Sequence, residues 1–255
     1  MSNPVINKRN NESRSVFGIP IEGFGVEEIL SRIRASWRGP IWIVTANPEI
    51  LLFARSDEAY AAVLRQADIR TVDGFGLWLC LRLAGQKTER VTGVHLSESI
   101  LREAAKNHWR VALIGGGEGV AQTAADRLKK RYPDLNVHAE QGGSISLDGT
   151  DDDCGEEARH RLTFFDPQIL LVAFGHPRQE RWIQKHAHAF PNAKAVIGVG
   201  GTLDFWAGIA KRAPRSFQIL GLEWLWRLVR EPRRWKRIWN AVAVFPIRFV
   251  QSRLA

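Results

Sequence analysis

With 255 residues, 45% apolar and 25% charged, the chain has the size and composition of one large α/β domain or two small lobes sharing a core. A formal net charge of +9 points to an anionic partner: nucleic acid, a phosphorylated small molecule or an anionic membrane surface. The two cysteines, Cys80 and Cys154, are too few and too far apart for a secreted disulfide framework and favour a reducing cytoplasm. No segment approaches the roughly 20 uninterrupted apolar residues of a membrane span.

In chain order, residues 1–14 are polar and read as a disordered lead-in without the apolar core of a signal peptide. SVFGIPIEGF reads as a short strand and turn, and Val26–Trp37 as an amphipathic helix. Five apolar runs follow, each closed by turn residues: IWIVTANP (41–48), DIRTVD (68–73), RVALIGGG (110–117), QILLVAFGHP (168–177) and AKAVIGVGG (193–201). Helical stretches alternate with them, as at Pro48–Gln66 and Gly119–Arg131. This alternation predicts an α/β fold, a parallel sheet covered by helices on both faces. Ligands bind such sheets at the carboxyl ends of the strands. All five runs end in residues suited to that: Thr45-Ala46-Asn47, Asp73-Gly74, Gly115-Gly116-Gly117, Gly175-His176-Pro177 and Gly200-Gly201-Thr202.

The segment EQGGSISLDGTDDDCGEE is polar and reads as a mobile loop. From Asp204 onward the chain carries eleven Lys or Arg against three Asp or Glu, with five of its ten tryptophans. That change divides it into the lead-in (1–14), an α/β domain (15–203) and a basic, Trp-rich helical C-terminal appendage (204–255).

Several motifs carry chemistry, each beside a plainer reading. In ALIGGGEGV, a strand, a glycine turn and a helix start suit a phosphate, although the spacing is not that of the dinucleotide fingerprint and a bare βα turn looks the same. Asp73 is placed to act as a general base, or to cap a helix starting at Phe75. Thr45 and Asn47 share the ambiguity, because TANPEI is also a helix start with Pro48 at its first position. AFGHPRQERWI sets Arg178 and Gln179 just past a buried strand, where they suit phosphate and sugar hydroxyls; His176 alone reads as a loop histidine. Zinc lacks a ligand set, and Asp151-Asp152-Asp153 reads as a solvated charge run, not a metal site. In the appendage, Arg227, Arg230, Arg234 and Arg237 fall on one arc if a helix continues past Pro232. Trp235, Trp239 and Val242 form an apolar stripe with Phe249 nearby, the composition of a helix lying among lipid headgroups. Pro232 and Pro246 divide the segment into two or three short helices.

Together these stretches resemble the WecG/TagA/CpsF glycosyltransferases, family 26 of the glycosyltransferases, from about Phe17 to Val250. TANPEIL, VDGFGL, RVTGVHL, LIGGG, FGHPRQERWI and the long block from GVGGTLDFWAG through the basic tail carry the resemblance. It implies a Rossmann-like sheet of the GT-E type with a membrane-associating appendage. The implied reaction is inverting and needs no metal or other cofactor: a sugar moves from a UDP-sugar to an undecaprenyl-diphosphate-linked sugar, in exopolysaccharide or cell-surface polysaccharide assembly. β-1,4-Glucosyl transfer is the first expectation, and N-acetylmannosaminyl or N-acetylmannosaminuronyl transfer the alternative. The resemblance makes Asp73 the base and sets Thr45 and Asn47 at the acceptor. Arg90 and Gln179 line the site, beside the glycine turns Gly115, Gly116, Gly117 and Gly200, Gly201 and the neighbouring Arg178. Arg215, Arg227, Arg230, Arg234 and Arg237 become candidates for diphosphate and membrane. The implied setting is peripheral, on the cytoplasmic face of the inner membrane, with a homo-oligomer off it and no nucleic acid bound. His95 departs from the acidic residue frequent in that family. A basic non-catalytic nucleic-acid-binding protein is the rival from another class. An oxidoreductase lacks its fingerprint.

Overall fold

The structure, a computed structural model, describes residues 15–37, 39–214, 216–217 and 221–254. The expected lead-in lies outside the described residues. A short antiparallel pair, β1 (Ser15–Val16) and β2 (Ile19–Pro20), leads into α1 (Val26–Ala35). Six strands then build the main sheet: β3 (Ile41–Ala46), β4 (Ile69–Val72), β5 (Arg110–Gly115), β6 (Asn136–Glu140), β7 (Ile169–Ala173) and β8 (Ala195–Gly198). Their spatial order is β4-β3-β8-β7-β5-β6, and every pairing is parallel.

Side chains alternate along each strand, so Trp42, Val44 and Ala46 face one layer and Ile43 the other. The first layer holds α2 (Pro48–Ser56), α3 (Glu58–Gln66), α4 (Phe75–Leu83), α8 (Arg178–His186) and Leu162 of α7 (Asp153–Phe165). The second holds α1, α5 (Gly93–Lys106), α6 (Val120–Arg131) and α9 (Thr202–Ala207). This is the expected α/β parallel sheet covered on both faces.

The predicted helix over 48–66 is two. Asp57 takes extended backbone (φ −133°, ψ 97°), closes α2 and caps α3 by accepting from the Tyr60 N–H. Strand β6 escaped prediction because NVHAE lies at the sheet edge, where its fully buried residue is Val137 alone. Helix α7 begins inside the segment predicted to be a loop.

At the C-terminal end, α10 (Glu223–Arg230) stops before Pro232, and a 3₁₀ turn (Pro232–Arg234) leads to α11 (Trp235–Trp239). A π-helical turn (Asn240–Val244) joins α11 to α12 (Phe245–Leu254), widening the helix where Pro246 has no N–H to donate. Phe245 and Phe249 are buried in the first layer, Phe245 against Phe17 at 5.8 Å between ring centres. The expected boundary between 203 and 204 falls inside α9.

Candidate active site

The chain leaves β5 toward β6 on one side and leaves β7 toward β8 on the other, so these adjacent strands diverge at their carboxyl ends. Such a switch point leaves a crevice. Here a cavity of about 1140 Å³ runs across the ends of β3, β4, β5, β7 and β8. A second cavity of about 230 Å³ adjoins it, walled by Phe75, Trp224, Ile238 and Val242. Asn47, Glu49, Asp73, Glu223 and Arg237 line both.

Asp73 follows β4, and its backbone N–H donates to the Ala46 carbonyl at 2.8 Å. Its side chain does not cap α4: Gly74 holds the N-cap position with no side-chain bond. Instead Asp73 Oδ2 accepts from the Gly93 N–H, 3.1 Å away, at the first residue of α5. Gly74 has φ +83°, a conformation that glycine takes at little cost, and this turns the chain immediately after the carboxylate. Thr45 is buried, and its hydroxyl donates to the Gly198 carbonyl at 3.4 Å. A Cβ placed on Gly93 would lie 3.3 Å from Thr45 Oγ1 and 3.6 Å from Asp73 Oδ2, so the two side chains meet at that glycine. Asn47 caps α2, its Oδ1 accepting from the Glu49 and Ile50 N–H groups at 3.0 Å each.

The glycine turns divide by task. Gly116 and Gly117 line the large cavity, whereas Gly115 does not: a Cβ there would lie 2.9 Å from the Ala173 backbone, so Gly115 lets β5 close on β7. Gly200, Gly201, Arg178 and Gln179 all line the large cavity, while Arg90 lines the smaller one. Gln179 is buried, with Oε1 accepting from the Gly200 N–H at 3.1 Å and Nε2 donating to Glu180 Oε1 at 2.7 Å.

The rim is basic. Arg230 and Arg237 reach the large cavity, joined by Lys211 and Arg212, which the sequence reading had not singled out. Trp226 Nε1 donates to the Lys211 carbonyl at 3.4 Å and ties α10 to that rim. Arg237 grips Glu49 through Nε at 2.5 Å and Nη2 at 2.9 Å. Hydrogen bonding to that carboxylate raises the arginine above its ordinary pKa. His176 Nε2 lies 3.7 Å from Glu49 Oε1. His176 and Glu49 are therefore cavity residues, although one reads in sequence as a loop histidine and the other as part of a helix start.

As Pro232 leads one to expect, α10 and α11 are separate helices, so the continuous helix on which a single arc of four arginines depends is absent. Arg215 and the side chains of Arg227 and Arg234 lie outside the described residues. Phe249 leaves the expected exposed stripe for the core, while Trp235 and Trp239 are 55% and 59% exposed.

Of the acidic triplet, Asp152 and Asp153 are exposed as expected, whereas Asp151 is half-buried. Asp151 accepts from Arg159 Nε at 2.9 Å and from the Trp182 indole; Asp152 caps α7 by accepting from the Gly155 N–H at 2.8 Å. These bonds, with Arg181 Nη1 donating to the Leu147 carbonyl at 2.7 Å, fasten the segment expected to be mobile. Among the described residues, no three His, Cys, Asp or Glu side chains are placed to share a metal ion.

A polar cleft at the strand ends, with glycine turns, carboxylates and several Arg and Lys side chains, has groups that suit a phosphorylated, hydroxyl-bearing molecule. The model of the glycosyl transferase WecG/TagA/CpsF family matches residues 14–255. Two relatives, from Staphylococcus aureus strains MRSA252 and MW2, bear the name N-acetylglucosaminyldiphosphoundecaprenol N-acetyl-beta-D-mannosaminyltransferase. They are 32% and 31% identical over 240 residues, covering 92% of this chain and 90% of each relative. The chain belongs to the WecG/TagA/CpsF family and is a glycosyltransferase, a hexosyltransferase of lipid-linked polysaccharide assembly.

Proposed function

We propose that the chain transfers an N-acetylmannosaminyl group from UDP-N-acetylmannosamine to N-acetylglucosaminyl-diphosphoundecaprenol, with inversion at the anomeric carbon. The β-1,4-glucosyl reaction expected first gives way to the mannosaminyl alternative, because the relatives bear the latter name over nine-tenths of their length.

The observation that carries the reading is the position of Asp73 where the two cavities meet. In this account the nucleotide sugar occupies the large cavity, and the acceptor sugar enters from the smaller one, past Arg90. Its hydroxyl attacks the anomeric carbon, the bond from that carbon to the diphosphate oxygen breaks, and the hydroxyl proton passes to the Asp73 carboxylate. Proton acceptance of this kind contributes about 10²–10⁴-fold. Negative charge grows on the departing UDP, and Lys211, Arg212, Arg178 and Arg230 on the rim supply opposing charge without a metal. The tail rests on the anionic cytoplasmic face of the membrane through Trp235, Trp239 and its basic residues. No helix among the described residues is long and apolar enough to cross a membrane.

The donor is tested by supplying a synthetic N-acetylglucosaminyl-diphosphate lipid with UDP-N-acetylmannosamine, its uronic acid or UDP-glucose in turn. Acceptor-dependent UDP release and a product heavier by one N-acetylhexosamine are expected with the first alone. Preferred use of UDP-glucose would overturn the assignment.

A further inference from the structure

Beneath the large cavity, a chain of hydrogen bonds joins α3, α8 and the turn after β8. The Tyr60 hydroxyl donates to Glu180 Oε2 at 2.9 Å, Gln179 Nε2 donates to Glu180 Oε1 at 2.7 Å, and the Gly200 N–H donates to Gln179 Oε1 at 3.1 Å. Tyr60, Gln179 and Glu180 are 0%, 4% and 1% exposed. A backbone N–H only donates, so Gly200 fixes which end of the Gln179 amide faces it. The amide nitrogen must then find an acceptor inside the protein, and Glu180 supplies one. Gly198 is part of the fit: a Cβ on it would lie 2.7 Å from Gln179 Nε2.

Burying a carboxyl group is costly unless its oxygens are satisfied. Burial raises the Glu180 pKa, while its two hydrogen-bond donors pull the other way. Either protonation state leaves an acceptor for the Gln179 amide. Mere filling of this space needs no carboxyl group; an apolar side chain of similar volume would do it at lower cost. Glu180 is also remote from Asp73 in the hydrogen-bond scheme, since its partners are Gln179 and Tyr60.

The geometry points to Glu180 and Tyr60 as positioning residues that orient the Gln179 amide and thereby hold the Gly200–Gly201 turn as a fixed wall of the donor cavity. The link to substrate rests on the proposed reading of that cavity as the sugar-nucleotide site.

The test combines amide hydrogen exchange with UDP titration on the full chain, comparing wild type with Glu180→Leu, Glu180→Gln and Tyr60→Phe. Glu180→Leu removes the acceptor. Exchange of the segment 199–204 is expected to quicken, and UDP binding to weaken, each by about tenfold, while β3 and β5 keep their protection. Glu180→Gln retains an acceptor oxygen and is expected to stay within about threefold of wild type in both measurements. Tyr60→Phe should move both in the same direction as Glu180→Leu by a smaller factor, and it decides the matter if the leucine variant does not fold. Unchanged exchange in the folded variants would overturn the inference, as would a Glu180→Gln defect equal to that of leucine. A wild-type protein that binds no UDP would instead count against the donor reading, leaving exchange to judge the positioning role.

Discussion

A carboxylate that accepts a proton from a sugar hydroxyl must be held in place and yet face the substrate. Asp73, the proposed base, is held by its bond from the Gly93 N–H and by the positive-φ turn at Gly74, and it lines both cavities. Replacing it with Asn keeps the shape and removes the base, so the loss of rate should fall in the general-base range of about 10²–10⁴. Asn47, the residue directly after β3, shows the other use of a polar residue at a strand end. It caps α2, and TANPEI announces that cap openly in sequence. The strand-end position of Asp73 was equally legible. Its partner was not, because Gly93 is twenty residues away and the contact exists only once α5 has packed. Separation in sequence also hid the pairing of Glu49 with Arg237, 188 residues apart, and of Asp151 with the Trp182 indole, 31 apart. Local pattern reports caps and turns; it does not report which remote cation a carboxylate meets.

Among the elements, continuous apolar strands announced themselves, and the buried strands of the sheet lie within the predicted runs. Elements with weaker burial patterns did not: β6 is a half-exposed edge strand, and α7 follows a polar loop. The C-terminal helices show a further limit. Their break at Pro232 is legible in sequence, because proline cannot continue a helix, but the faces they bury are not. Nor does composition tell that α12 inserts Phe245 and Phe249 into the layer that also contains α2 and α4. This insertion makes the last helix part of the fold's stability. Phe245→Ala should lower the unfolding free energy by about 3–5 kcal/mol, as measured by denaturant titration. A variant as stable as wild type would contradict the packing described. For the same reason, removing all residues after 216 strips core side chains as well as Arg230 and Arg237 of the rim, so truncation is a poor way to isolate the tail's role.

At the scale of the whole molecule, the net charge of +9 and the clustering of arginines and tryptophans in the last fifty residues suit an anionic partner. Trp235, Trp239, Ile247 and Val250 of that stretch are more than half exposed, and Arg237 reaches from it into the cleft. Each basic residue near an anionic surface adds about 1 kcal/mol, and the indoles add apolar insertion. The double change Trp235→Ala, Trp239→Ala should weaken sedimentation with phosphatidylglycerol-rich vesicles by about tenfold or more while leaving transfer to a short, water-soluble acceptor close to wild type. Unchanged vesicle binding would mean that the membrane contact lies elsewhere. In the proposed reading the chemistry lies at the strand ends and the lipid contact on the tail, joined through Arg237 and Glu49.

The most direct test of the whole account is the rate of sugar transfer by wild type and Asp73→Asn on the same lipid-diphosphate acceptor, with UDP affinity measured on both. Transfer by Asp73→Asn is expected to be slower by about 10²–10⁴-fold with UDP affinity unchanged. An Asp73→Asn enzyme that transfers at the wild-type rate would contradict the account.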